Sequence, residues 1–137
     1  RKRASNQDTF RIIELGSGEK PASALLAVVC DGMGGAKSGN VASEKAASVI
    51  SEYIVKSYSP KMSSVGIENL LRAAVESANC EVYDLAHSDA KYEGMGTTVV
   101  VATHAKDIVN KMKKRVIHIN KGDIIRDDKK GGYDSEI

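Results

Sequence analysis

The sequence predicts an α+β fold, an antiparallel sheet with two long helices packed on one face, followed by a C-terminal helix plus hairpin. Three observations carry this reading. Short apolar and β-branched runs lie at both ends of the first hundred residues, two stripes of apolar residues at helical spacing fill the middle, and Gly or Pro marks each change of period.

Phe10 to Leu15 reads as a strand, Gly16 to Pro21 as turn chemistry, and Ala24 to Val29 as a second strand, so the two form a hairpin. That strand runs into Asp31-Gly32-Met33-Gly34-Gly35, where glycines permit backbone angles and close approaches closed to other residues. From about Asn40, Val41, Ala42, Ala46, Val49, Ile50, Tyr53 and Ile54 lie on one face of a helix that Pro60 stops. A second helix carries Ile67, Leu70, Leu71, Ala74, Val75, Ala78, Val82 and Leu85. Gly94 and Gly96 end it, and Thr97 to Ala102 is expected to be a buried strand. Asp107 to Arg115 reads as a helix. Val116 to Ile119 and Ile124 to Arg126 flank the turn residues Asn120-Lys121-Gly122-Asp123, and Lys129 to Ile137 reads as a loose tail.

A chain of 137 residues fits a single domain, 1–137, and its 42% hydrophobic and 28% charged residues exclude fibrous, low-complexity and strongly disordered classes. Aromatic residues are scarce, so the core is expected to be Val, Ile, Leu and Ala. Residues 1–103 carry 11 basic and 12 acidic side chains and 104–137 carry 9 and 6, so the tail alone is basic, by 9 − 6 = +3. Lys111, Lys113, Lys114 and Arg115 read as a solvated helix face, and no nucleic-acid partner is expected. Cys30 and Cys80 have no Cys or His at zinc-finger spacing and read as buried free thiols of a reducing compartment. No apolar stretch reaches the roughly 18 residues of a membrane span, and the expected location is cytoplasmic. The first residue is Arg1 rather than methionine, which raises the expectation of an excerpt from a longer protein.

Three segments carry the chemistry: Arg3-Ala-Ser-Asn6-Gln7-Asp8, Val29-Cys30-Asp31-Gly32-Met33-Gly34-Gly35, and Gly94-Met95-Gly96-Thr97-Thr98. In order and content they resemble the opening motifs of the metal-dependent type 2C protein serine/threonine phosphatases, bacterial type, over residues 1–102. The resemblance implies that the sheet is part of that family's β-sandwich. It also implies a site for two divalent cations, Mn²⁺ or Mg²⁺, held by Asp8, Asp31 and the carbonyl of Gly32, hard oxygen donors of the kind these ions take. Arg3 would bind the substrate phosphate, for which a guanidinium offers paired donors. A metal-activated water, with no catalytic side chain beyond it, would hydrolyse phosphoserine and phosphothreonine in phosphoprotein substrates.

Met33 stands where some relatives have a histidine, and a thioether donates no proton. Later aspartates of the family, in Ser-Asp-Gly and Asp-Asn contexts, have no counterpart here. Residues 97–137 instead resemble the end of an ABC transporter ATP-binding subunit of the bacterial cell-division type, in which a strand ends in a γ-phosphate-sensing histidine, here His104. No phosphate loop or Walker-type acidic pair accompanies it, so no nucleotide hydrolysis is expected. A second reading has Asn120 to Asp123 imitate the phosphatases' later Asn-x-Gly-Asp turn, with Asp123 near a peripheral metal. The expected organisation is a phosphatase-like part, 1–102, and an ABC-ATPase-like tail, 103–137, in a chimera or truncated excerpt. Two functional outcomes stay open: a hydrolase impaired by its missing ligands, and a non-catalytic pseudophosphatase or structural chimera without activity.

Overall fold

The computed structural model describes residues 6–16, 24–34, 38–103, 116–120 and 123–129. Strands β1 (Asp8–Leu15) and β2 (Ala24–Met33) come first, then helices α1 (Ser38–Ser57) and α2 (Ser64–Ser88), then β3 (Gly96–Thr103). Strands β4 (Val116–Asn120) and β5 (Asp123–Asp128) follow. The order in the main sheet is β1-β2-β3, antiparallel throughout, and β4 and β5 form a separate antiparallel pair. This is the α+β arrangement expected, with both helices on one face of the sheet. The helix expected over Asp107 to Arg115 lies outside the described residues.

Alternation along the strands decides which face is covered. Ile13 and Leu15 of β1 and Ala24, Leu26, Val28 and Cys30 of β2 are buried under α1, whose Ala42, Ala46, Ala47, Ile50 and Ile54 meet them. Small alanines let the helix approach the sheet closely, and Ile50 fills the centre of the interface with no exposed surface. α1 ends before Pro60, with the Tyr58 N–H still bonded to the Ile54 carbonyl at 2.8 Å. α2 opens with Ser63, whose hydroxyl accepts from the Gly66 N–H at 3.1 Å and satisfies one of the free donors of the first turn. Its Ile67, Leu70, Ala74, Ala78 and Val82 are buried, and Lys45 of α1 meets Glu81 of α2 at 2.7 Å.

Four expectations are corrected. The second strand does not stop at Val29: it continues through Asp31, Gly32 and Met33, because β1 and β3 pair with it along that length. β3 is not a buried strand. Among the described residues it is the end strand of the sheet, α1 sits mainly over β1 and β2, and Val100 on the face away from the helices is 61% exposed. Tyr53 and Val75, placed by period on the apolar stripes, are exposed because each sits at the margin of its helix's contact face. Cys80 is exposed on α2, whereas Cys30 is buried as expected, and both are free thiols.

Replacing Ile50 by Ala removes a fully enclosed side chain, and a loss of about 2–5 kcal/mol is expected in urea denaturation. Val55→Ala, on the exposed side of the same helix, is expected to change stability by less than about 0.5 kcal/mol.

Candidate functional site

The β1–β2 register sets Asp8 directly opposite Asp31 at one end of the sheet. Both carboxylates are exposed, on the face turned away from the helices, and Thr98 of β3 stands across from Asp31 on the same face. Directly opposed residues on an antiparallel pair have Cβ atoms about 4.5–5.5 Å apart, and like charges so placed repel. Carboxylates so placed could reach one cation between them.

The backbone around this pair is held from three sides. The Gly32 N–H donates to the Gln7 carbonyl at 3.1 Å, tying the two aspartate-bearing strands together beside the pair. A Cβ on Gly32 would lie 2.0 Å from the Gly39 carbonyl oxygen and 2.7 Å from that of Gln7, so only glycine lets the first turn of α1 settle on β2 here. Gly34 just beyond has φ 149°, a conformation open to glycine, where the chain leaves the strand. From β3, the Thr97 hydroxyl donates to the Asp31 carbonyl at 2.9 Å and also lies 3.0 Å from the Thr98 carbonyl. Under Asp8, the Thr9 hydroxyl meets the fully buried Ser43 hydroxyl at 3.0 Å, and Ser43 in turn donates to the Asn40 carbonyl at 3.1 Å. The Asp8 N–H itself donates to the Asn6 side-chain oxygen at 3.1 Å.

The structure thus brings together Asp8, Asp31 and Gly32. Arg3 and His104 lie outside the described residues, and of Asp123 the backbone alone is described, paired with Asn120 at the start of β5. Sequence reasoning missed Gln7, Gly39, Thr97 and the Thr9–Ser43 pair as supports. Gln7 and Thr97 stood inside the quoted motifs, but Gly39 and Ser43 act through contacts with distant residues that no local pattern announces. Among the described residues, no group of three or more His, Cys, Asp or Glu side chains gathers at one point. Cys30, next to Asp31 but on the covered face, has its thiol pushed up from its ordinary range by burial.

A family model described as protein phosphatase 2C matches residues 1–134. The chain belongs to the protein phosphatase 2C family. The serine/threonine phosphatase stp of Listeria welshimeri is 37% identical over 84 residues, 61% of this chain and 33% of that protein. The crystal structure of the serine/threonine phosphatase Stp1 from Staphylococcus aureus aligns with a TM-score of 0.60 at 33% identity, covering 74% of this chain and 37% of that one. This protein phosphatase 2C chain therefore spans about a third of the length of these relatives. A separate, short similarity, 65% identical over 40 residues, links 29% of the chain to 18% of the cell division ATP-binding protein FtsE of Bacillus subtilis. That likeness fits a tail shared with the cell-division ATP-binding proteins, although the protein phosphatase 2C match also runs to residue 134. No helix among the described residues is long and apolar enough to cross a membrane.

Gly32→Ala is expected to cost about 1–3 kcal/mol in thermal or urea melts, since its Cβ meets two backbone carbonyls that cannot swing aside. In pulsed alkylation at pH 8, Cys80 is expected to react within the pulse. Cys30, enclosed and with little thiolate at that pH because its pKa is raised, is expected to react only after unfolding.

Proposed function

We propose that this chain is the front part of a metal-dependent hydrolase of phosphoserine and phosphothreonine in proteins. One observation carries the reading: two exposed carboxylates from different strands face each other at the sheet end where Gly32, Gln7 and Thr97 hold the main chain. Mn²⁺ and Mg²⁺ are commonly bound by one or two carboxylates plus waters, and Asp8 and Asp31 fit one such ion. Asp31 and the Gly32 carbonyl would hold such ions together with Asp8. A bound divalent cation supplies Lewis-acid polarisation of a phosphoryl group. Arg3, in the segment leading into Asp8, would bind the phosphate dianion and orient it toward the carboxylate pair.

Within this reading residues 1–102 are the phosphatase-like part and 103–137 a tail of ABC-ATPase likeness, in a chimeric or partial chain. Two free thiols and the absence of a disulfide among the described residues support a reducing, cytoplasmic setting. One observation favours the alternative, a pseudophosphatase that binds without turnover: no third acidic ligand joins Asp8 and Asp31 among the described residues.

Calorimetry with Mn²⁺ on the 137-residue chain is expected to show uptake that Asp31→Ala abolishes. Hydrolysis of p-nitrophenyl phosphate is expected to stop with EDTA and with the same substitution. Metal uptake without hydrolysis favours the pseudophosphatase, and hydrolysis indifferent to both treatments overturns the metal reading.

A further inference from the structure

At the carboxylate end of the sheet, the peptide unit joining Asp31 to Gly32 is held at both of its polar groups. Its carbonyl, that of Asp31, accepts from the Thr97 hydroxyl of β3 at 2.9 Å. Its N–H, that of Gly32, donates to the Gln7 carbonyl next to β1 at 3.1 Å. A peptide unit is planar, so bonds to its two sides fix how the plane is turned about the chain direction. Glycine has the widest choice of backbone angles, so Gly32 is a residue that such a hold restricts strongly.

The ladder determines what this plane connects. In an antiparallel pair, residues that share main-chain bonds alternate with residues that do not, and side chains stand closer in the second kind. Gln7 and Gly32 share such a bond, so Asp8 and Asp31, the next pair along, are of the second kind. The main-chain groups of Asp31 therefore face β3, where Thr97 meets them, and those of Gly32 face the strand that carries Asp8. One plane thus links the Asp31 carboxylate to the residue whose carbonyl lies beside it in the chain.

Thr97 is suited to holding that plane. Its branched Cβ restricts χ1, so the hydroxyl keeps its aim without much loss of side-chain freedom. The same hydroxyl lies 3.0 Å from the Thr98 carbonyl, which places its proton between carbonyls of β2 and β3. The β2–β3 ladder runs from Leu26↔Thr103 to Met33↔Gly96 and does not rely on that hydroxyl for its pairing.

We propose, building on the metal reading above, that Thr97 is a positioning residue. Its hydroxyl sets the Asp31–Gly32 plane and, through it, the aim of the Asp31 carboxylate and the Gly32 carbonyl at a divalent cation. Groups that orient metal ligands from behind act in this way, and their loss typically lowers metal affinity about 10–100-fold.

Amide exchange by NMR and Mn²⁺ calorimetry, both on the whole 137-residue chain, test it. Thr97→Val keeps the branched shape and removes the hydroxyl. It is expected to weaken Mn²⁺ uptake about ten-fold or more. In the metal-free chain it is expected to speed exchange of the Gly32 amide about ten-fold, while the Val28 amide of the same strand keeps its protection. Thr97→Ser, which restores a hydroxyl, is expected to return both quantities to the wild-type range. Gly32 exchange indifferent to Thr97→Val, Mn²⁺ affinity unchanged when that exchange rises, or a Thr97→Ser chain that behaves like Thr97→Val would overturn the proposal. Equal loss of protection at Gly32 and Val28 would do so too, because Thr97 would then be a general support of the sheet. A wild-type chain that takes up no Mn²⁺ overturns the metal reading and Thr97's role toward a cation with it; Gly32 exchange in the metal-free chain separately tells whether Thr97 holds the plane.

Discussion

The pairing of β1 with β2 is the constraint on which the rest depends. It runs without interruption from Asp8↔Asp31 to Leu15↔Ala24, and the same ladder that opposes the two carboxylates aligns Ile13 with Leu26 on the covered face. A slip of one residue would turn Asp8 toward the helices and expose Ile13 and Leu15. Apolar burial at one end of the hairpin therefore specifies the charge geometry at the other.

α1 acts on the same end. Its first turn rests on Gly32 through the Gly39 backbone, and Ser43, one turn further along, reaches the hydroxyl of Thr9 beside Asp8. The helix thus touches both strands next to the carboxylate pair without placing an acidic group there. Such a support lets the strand ends stay rigid while their outward side chains remain open to solvent and to a ligand.

The face away from the helices has a different character. Phe10 and Ile12 are each 69% exposed, Val29 and Val100 lie beside them, and Asp8 and Asp31 close the row at one end. Apolar rows of this kind on an antiparallel sheet are what a second sheet covers in a sandwich, about 10 Å away. The relatives are about three times longer than the matched stretch.

How much was legible in the sequence follows from where the deciding contacts lie. Helix period, the proline stop, the hairpin and the motif residues Asp8, Asp31 and Gly32 are local signals, each set by steric or patterning rules within a few residues, and the folded chain keeps them. The extension of β2 through Met33, the exposure of Cys80 and Val75, and the edge position of β3 were not legible, because they depend on which neighbour arrives across space. Local patterning and motif content specified an α+β chain of the protein phosphatase 2C kind with two aspartates one hairpin apart. That these aspartates stand in register, and that Gly39, Ser43 and Thr97 brace them, came from contacts across the fold, because register is set by burial along the whole ladder and bracing by residues tens of positions away.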